Sequence, residues 1–261
     1  MKEDRTEWWA EAYEQMQKLG YDYHYIDFAS AKKEIEFIER TLDLKVGDKV
    51  LDLGCGNGRH SILLAERGYQ VTGVDYSKSL LEMAQVEAEK RGLSLELRCQ
   101  DMLTLDDDSL YNGVIILDGS FGIFTDSENE DIIRRGAKAL KPGGKLLLQS
   151  YNPYYMAFNQ GRDAEVDGDN TFIRETSFDV KRGAVVDNII AIDNITGKYQ
   201  RINTRYYRAY TIPELRGISN KYGLRNLKVY GHDDDFYPKL ELPFDVQKDM
   251  VMYLLLEKLS R

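Results

Sequence analysis

Residues 50–61 read VLDLGCGNGRHS, and this stretch decides the fold. An apolar run leads into glycines at positions 54, 56 and 58, and the residues that follow can begin a helix. Glycines in such a turn let the backbone bend tightly and let a ligand approach main-chain atoms that side chains would block. The stretch therefore predicts a strand, a ligand-binding loop and a helix, the first unit of an open α/β sheet.

Strand-like and helical segments alternate outward from this loop over residues 48–150, which is typical of consecutive βαβ units. Ser77 is the predicted N-cap of a helix that ends at Gly92, and Ser127 is the predicted N-cap of one that ends near Lys141. The predicted strands cover residues 49–53, 69–74, 94–99, 113–118 and 145–150.

The segments on either side of this alternation predict three further parts. Helical patterns at 3–18 and 31–42 indicate an N-terminal helical cap, residues 1–45. Residues 171–207 alternate as an antiparallel ribbon with turns at KRG and NITG, so we expect residues 153–207 to form a β insertion or lid.

The α/β pattern then resumes. Thr211 and Glu214 have the spacing of a capping box for a helix that ends at Gly223, and two strand-like runs follow. The core should therefore comprise residues 46–152 and 208–261. The predicted fold class is α/β: a seven-stranded, mostly parallel, doubly wound sheet with an antiparallel β insertion after strand five.

Composition limits the function. The chain has 261 residues, of which 43% are hydrophobic and 30% charged, as expected of a globular enzyme. A net charge of -9 disfavours nucleic acid as a partner, and the apolar run at 250–256 is too short to span a membrane.

Charges in the N-terminal stretch disfavour a signal peptide, so we expect a cytoplasmic protein. Cys55 and Cys99 lack the spacing of a metal site, so we expect free thiols and no metal.

The glycine spacing separates two kinds of nucleotide-like site. A dinucleotide site would favour G-x-G-x-x-G with a diphosphate on the helix N-terminus, whereas this loop reads D-x-G-x-G-x-G, and Asp52 would repel a diphosphate. The spacing resembles motif I of class I S-adenosylmethionine-dependent methyltransferases. That resemblance implies a Rossmann-like fold, S-adenosylmethionine as cofactor and S-adenosylhomocysteine as product.

The resemblance also implies roles for acids at successive strand ends. Asp75 would accept hydrogen bonds from the ribose hydroxyls, Asp101 and Met102 would contact the adenine, and the backbone of the glycine loop would hold the methionyl amine. The residues that we expect to bind the cofactor are Asp52, Gly54, Cys55, Gly56, Gly58, Asp75, Tyr76, Asp101, Met102, Leu117 and Ser120.

Three further motifs resemble a bacterial branch of small-molecule methyltransferases. They are GRH at residues 58–60, SFG at 120–122, and an RxYT-ELR segment at 208–216. The branch usually reads SFGYF, and here Ile123 replaces the tyrosine, which puts any role of that hydroxyl in doubt. The implied acceptor is a small molecule.

Catalysis of methyl transfer mainly requires alignment and exclusion of water, because the sulfonium already makes the methyl electrophilic. The catalytic candidates are His60, His232 and Tyr25, and a general base could be His24, His60 or His232. The chain has 18 tyrosines, some of them clustered near 21–25, 151–155 and 206–210, and the first two clusters are expected to adjoin the crevice, where they could form an aromatic wall for an acceptor.

Other functions stay open at this stage. The glycine spacing disfavours an NAD-dependent oxidoreductase, whereas an S-adenosylmethionine-binding protein without catalysis and an RNA or protein methyltransferase are both alternatives. A homodimer is a further possibility. The acceptor, and whether its N, O, S or C atom is methylated, cannot be read from the sequence.

Overall fold

The computed structural model describes residues 15, 18–19, 28–232 and 238–259. The predicted helix at 3–18 is therefore largely outside the described residues, and Tyr25 and His24 lie outside them altogether. Among the described helices, none is long and apolar enough to cross a membrane.

The described elements alternate as predicted through the first half of the chain. In chain order they are α1 (Phe28–Leu42), β1 (Lys49–Leu53), α2 (Arg59–Glu66), β2 (Gln70–Asp75), α3 (Lys78–Lys90), β3 (Glu96–Cys99), a 3₁₀ turn (Met102–Thr104), β4 (Tyr111–Ile116), α4 (Asp126–Ala139), β5 (Leu140–Tyr151), α5 (Pro153–Phe158), β6 (Gly161–Asp167), β7 (Asn170–Asp179), β8 (Ala184–Asp193), β9 (Tyr199–Arg208), α6 (Ile212–Lys221), β10 (Leu224–His232), β11 (Pro238–Pro243) and β12 (Val251–Lys258).

The central sheet has the strand order β11-β10-β12-β5-β4-β1-β2-β3. Its β5-β4-β1-β2-β3 half is parallel, and β12 pairs antiparallel with both β5 and β10. The predicted fold class, a mostly parallel doubly wound sheet with an antiparallel insertion, is confirmed. The structure adds an eighth strand, β11, at the edge beside β10, where prolines at both of its ends are tolerated.

Helices cover both faces of this sheet, which is why consecutive residues of its central strands are buried, as at 50–53 of β1 and 113–116 of β4. Val114 and Ile116 on β4 pack in a cluster with α4 and α6, whereas Ile115 on the same strand packs in a second cluster with α1 and α2. The carboxyl ends of β1, β2 and β4 consequently meet at one edge of the sheet, which positions the loops described below.

Side-chain caps fix where the helices begin. Ser77 accepts a hydrogen bond from the Leu80 amide and caps α3, as predicted. The prediction of Ser127 as the cap of α4 is wrong, because Thr125 caps this helix in a capping box with Glu128. Glu130 stands three residues after Ser127 just as Glu128 stands three residues after Thr125, so the sequence fits a capping box at either position, and the helix begins at the first of them. The capping box predicted for α6 at Thr211 is confirmed.

The insertion after β5 is a separate four-stranded antiparallel sheet in the order β6-β7-β8-β9. The predicted ribbon corresponds to β7, β8 and β9, and its two turns contain Gly183 and Gly197 at positive φ. The strand β6 and the helix α5 were not predicted. Asn152 caps α5 and Pro153 occupies its first turn, a combination that favours a helix start.

Candidate functional site

The glycine loop between β1 and α2 lies against the end of β2 and against the loop that follows β4. The amides of Gly54 and Cys55 donate to the Val74 carbonyl at 2.8 and 3.1 Å. Gly54 has a φ of 77°, and a Cβ at this position would lie 2.4 Å from the Ser120 hydroxyl oxygen. At Gly58, a Cβ would lie 2.8 Å from the Ala84 methyl on α3. Glycine at both positions is therefore required by left-handed backbone and by contact at once.

Asp75, at the end of β2, holds the glycine loop from its other side. Its Oδ2 accepts from the Gly56 amide at 2.7 Å, and its Oδ1 accepts from the Ser77 amide at 2.8 Å. Burial raises the pKa of Asp75 despite these backbone hydrogen bonds, which favour the charged form. A carboxylate can accept about four hydrogen bonds, so Asp75 retains capacity for a pair of hydroxyl donors.

Asp52 and Cys55 lie beneath the loop. Asp52 is 3% exposed, and its Oδ2 accepts from the Ser61 hydroxyl at 2.6 Å. Burial raises its pKa to about 6, against the opposing influence of His60 and Ser61. The buried Cys55 thiol packs on β2, where it lies 2.9 Å from the position of a Cβ on Gly73. The Cys55 side chain therefore points toward the sheet.

The ends of β3 and β4 complete the crevice. Asp101 caps the 3₁₀ turn by accepting from the Leu103 amide at 2.9 Å, and the buried Met102 reaches to within 3.4 Å of the Cβ position of Gly54. Ser120 donates to the Gly54 carbonyl at 3.1 Å. The structure thus brings together the loops that carry Gly54, Met102 and Ser120. Leu117 is buried at the end of β4, and Tyr76 is half exposed beside Asp75.

His60 faces carboxylates with both ring nitrogens. Its Nε2 bonds to Glu34 on α1, and its Nδ1 lies 3.7 Å from Asp118 Oδ2. Burial and the neighbouring Arg59 lower the pKa of His60, but Glu34 and Asp118 outweigh them and the net pKa is raised. The ring is 4% exposed. The trio Glu34, His60 and Asp118 is compact enough for a metal ion, but Arg59 already bonds to Asp118 and lies 3.5 Å from Glu34, so its guanidinium supplies the positive charge there.

His232, at the end of β10, lies at the junction with the loop before β12. Its Nε2 accepts from the Met250 amide at 2.9 Å, and Asp249 is 3.9 Å away. Because that lone pair is used by a backbone amide, His232 holds the chain in place at this junction. The structure does not bring His60 and His232 together, and Tyr25 lies outside the described residues.

Asp118 is a site residue that the sequence reasoning missed. It follows β4 with a φ of 53°, Arg59 Nε donates to its Oδ2 at 3.1 Å, and its own amide donates to Gln149 Oε1 at 2.5 Å. Gln149 in turn donates to the Tyr253 hydroxyl at 3.0 Å. The available signal was the order of acids at strand ends: Asp52, Asp75 and Asp101 were noted there, and an acid at the end of β4 belongs to the same series.

The SFG and RAYT motifs contact each other. The Arg208 amide donates to the Gly122 carbonyl at 2.7 Å, and a Cβ on Gly122, whose φ is 92°, would lie 2.5 Å from the Arg208 carbonyl oxygen. The rings of Phe121 and Tyr210 have centroids 5.5 Å apart, and the Tyr210 hydroxyl donates to Asp126 at 2.7 Å. These residues join the end of the insertion to the loop after β4.

An aromatic wall extends from that loop into the insertion. Tyr207 on β9 lies 3.5 Å from where a Cβ on Gly119 would be, and its ring centroid is 5.3 Å from that of Tyr151. Burial above all raises the pKa of Tyr151, so its hydroxyl stays protonated. Behind this wall, Arg205 forms a buried ion pair with Asp187.

Comparison with known proteins fits this geometry. Residues 50–144 match the family model described as a methyltransferase domain. The ubiquinone biosynthesis O-methyltransferase of Coxiella burnetii is 36% identical over 124 residues, 48% of this chain and 52% of that protein. That of Idiomarina loihiensis is 38% identical over 123 residues, 44% of this chain and 47% of the relative. The chain spans about half the length of the curated relatives it matches.

Solved structures match over more of the chain. The CcbJ methyltransferase of Streptomyces caelestis has a TM-score of 0.71 at 19% identity, over 89% of this chain and 90% of that one. An S-adenosylmethionine-dependent methyltransferase from Clostridium acetobutylicum also has a TM-score of 0.71, at 18% identity, over 95% of this chain and 99% of that one. CalS10, an amino pentose methyltransferase of Micromonospora echinaspora, has a TM-score of 0.64 at 17% identity, over 87% and 89%. The fold is therefore the Rossmann-like methyltransferase fold, and the segment that carries the glycine loop matches a methyltransferase domain.

Proposed function

We propose that this chain is an S-adenosylmethionine-dependent methyltransferase that acts on a small-molecule acceptor. The observation that carries the proposal is the convergence of Gly54, Asp75 and Ser120 from the ends of β1, β2 and β4 on one crevice. In open α/β sheets, ligands bind outside the carboxyl ends of the strands, where the strand order reverses. Here the reversal lies between β1 and β4.

The residues present fit the cofactor. Asp75 is a carboxylate with capacity for the ribose hydroxyls, and the side-chain-free Gly54 and Gly56 leave main-chain atoms accessible for the methionyl group. Met102 and Leu117 supply buried apolar surface beside them. When bound, the cofactor supplies a sulfonium methyl that is already electrophilic.

The task that remains for the protein is to align the acceptor and exclude water. Tyr151 and Tyr207 form an aromatic wall beside the loop after β4, and burial raises the pKa of Tyr151 so that its hydroxyl stays protonated. We assign His60 and His232 positioning roles, because their ring nitrogens face carboxylates or a backbone amide. A catalytic role for Tyr25 stays a prediction from the sequence.

Two structural neighbours and the curated relatives support a small acceptor. One neighbour is named an amino pentose methyltransferase and another a sugar N-methyltransferase, and the relatives named above are O-methyltransferases of ubiquinone biosynthesis. The net charge of -9 also disfavours RNA. We propose that residues 153–207 act as the lid that selects this acceptor. A homodimer and a cytoplasmic location stay predictions from the sequence.

Isothermal titration calorimetry tests the cofactor assignment. The protein should bind S-adenosylhomocysteine and not NAD, because a buried Asp52 behind the loop disfavours a diphosphate. Asp75→Ala should weaken S-adenosylhomocysteine binding by about 2–4 kcal/mol, about 30- to 1,000-fold, through the loss of charge-assisted hydrogen bonds. Because Asp75 also holds the Gly56 amide, thermal unfolding of the variant must be measured in parallel.

Asp108→Ala is the matched control for this experiment, because Asp108 is an exposed acid in the loop before β4 that accepts a hydrogen bond from the neighbouring Ser109 hydroxyl. It should bind S-adenosylhomocysteine with unchanged affinity. Tighter binding of NAD than of S-adenosylhomocysteine would refute the assignment. An unchanged affinity in folded Asp75→Ala would show that another residue holds the ribose.

A further inference from the structure

One oxygen of the Asp118 carboxylate is fixed and the other is open. Arg59 donates to Oδ2 through both Nε and a terminal nitrogen, and His60 Nδ1 lies 3.7 Å from the same oxygen. Among the residues that the structure describes, none donates a hydrogen bond to Oδ1. The Asp118 side chain is 37% exposed. Of its neighbours in the chain, Leu117 is buried and Gly119 is partly buried.

The backbone of Asp118 is held as firmly as its carboxylate. A φ of 53° is uncommon for a residue with a side chain, and such conformations persist where surrounding contacts over-determine them, most often at ligand sites. Here the Asp118 amide donates to Gln149, and Gln149 donates to Tyr253 on the neighbouring strand. These contacts fix the direction in which the carboxylate is presented.

Asp118 stands at the start of the loop after β4, where the cofactor loop meets the aromatic wall. Asp118 is followed by Gly119, which lies against Tyr207, and by Ser120, which contacts the Gly54 carbonyl. An acceptor that lies between the proposed methyl donor and the wall formed by Tyr207 and Tyr151 would therefore lie beside the loop that carries this carboxylate.

The surrounding charges keep Asp118 ionised. Burial raises the pKa of Asp118, but Arg59 and His60 outweigh it and lower the pKa below its ordinary value. A carboxylate of this kind is a strong hydrogen-bond acceptor and a poor base. Glu34 adds a second negative charge behind Arg59 and His60, so this corner favours a donor or a cation and disfavours an anion.

We infer that Asp118 recognises the methyl acceptor, its open Oδ1 accepting a hydrogen bond from an amino or hydroxyl group of that molecule. The inference rests on the proposed function and adds the chemical class of the acceptor: a small molecule with an N–H or O–H donor, and without a carboxylate at that position. Arg59, Gln149 and His60 are positioning residues for Asp118.

The test uses a matched set of probes on one ring: benzylamine, benzyl alcohol and benzoate. Ligand-observed NMR titrations would measure the affinity of each probe for the full chain saturated with S-adenosylhomocysteine. The variant Asp118→Asn keeps the size of the side chain and tolerates a positive φ, but it can place an amide donor where the open oxygen lies. Asp108→Asn, an exposed acid away from the crevice, is the control.

Wild-type protein and Asp108→Asn should bind benzylamine or benzyl alcohol at least about tenfold more tightly than benzoate, as expected for a charge-assisted hydrogen bond. Asp118→Asn should reduce that preference to less than about threefold while its S-adenosylhomocysteine affinity stays within about twofold of wild type. A preference for benzylamine alone identifies a cationic amine acceptor, and equal binding of benzyl alcohol identifies a neutral donor.

Three results would overturn the inference: wild-type preference for benzoate, no binding of either donor probe, or an unchanged preference in Asp118→Asn. The S-adenosylhomocysteine titration is read separately. Failure of the wild-type protein to bind S-adenosylhomocysteine contradicts the proposed function, whereas normal binding together with any of the three results contradicts only the role of Asp118.

Discussion

Asp52→Asn should stabilise the protein at high pH. The buried Asp52 carboxyl has a pKa of about 6, compared with 3.8 when exposed. The folded state therefore binds this proton more tightly than the unfolded state, and the free energy of unfolding falls as the pH rises from about 4 to about 6. A difference of about two pKa units corresponds to about 3 kcal/mol, of which about 2 kcal/mol falls between pH 4.5 and pH 8.

Asparagine cannot ionise, and its Oδ1 can still accept from the Ser61 hydroxyl. Between pH 4.5 and pH 8, the free energy of unfolding of the variant should therefore rise by about 2 kcal/mol relative to that of wild type. Any cost of burying the new amide group is the same at both pH values and leaves this difference unchanged. Urea unfolding followed by circular dichroism at the two pH values measures this difference. Asp108→Asn, in which the acid is exposed, should show none. Equal effects of Asp52→Asn at pH 4.5 and pH 8 would refute the reasoning.

Two glycine substitutions test the contacts around the loop after β4. Gly54→Ala should lower the free energy of unfolding by about 2–5 kcal/mol, because the alanine would have a left-handed backbone and a Cβ 2.4 Å from the Ser120 hydroxyl oxygen. In urea unfolding, the added change Ser120→Gly should recover about 1–3 kcal/mol of this loss. No recovery would exclude the clash with Ser120. Gly122→Ala should cost a similar amount that side-chain changes cannot relieve, since its Cβ would meet the Arg208 backbone; a melting temperature equal to that of wild type would contradict this contact.

The sequence predicted the parts of the fold that follow from local patterns. Mostly apolar runs such as those of β1 and β4 indicate buried strands, and the spacing of Thr211 and Glu214 indicates a capping box. It did not predict β6 or β11, because both are edge strands with weak patterns, and β11 is bounded by prolines. The cap of α4 was misplaced because Thr125 and Ser127 are each followed by a glutamate three residues later, so both fit a capping box in the sequence, and the fold uses Thr125 with Glu128.

The candidate site divides in the same way. Gly54 and Asp75 could be predicted because their roles follow from residue type and from their place at strand ends. The contacts of His60 with Glu34 and Asp118 could not, because they join positions 26 and 58 residues apart, through packing of α1 against α2. Asp187 appeared to be one more polar residue in an alternating strand, yet it is fully buried in an ion pair.

The loop after β4 is held from two directions, and this arrangement explains how one crevice can keep its cofactor site while its acceptor site changes. From the core, Arg59 and Gln149 fix Asp118; from the insertion, Arg208 bonds to Gly122. The contacts of the first set lie within the core and do not involve the insertion. The second set depends on where β9 ends. A change within the insertion can therefore move the aromatic wall at Tyr207 without displacing the cofactor loop, so in our proposal the insertion adjusts the acceptor site beside Asp118 while donor binding stays with the core.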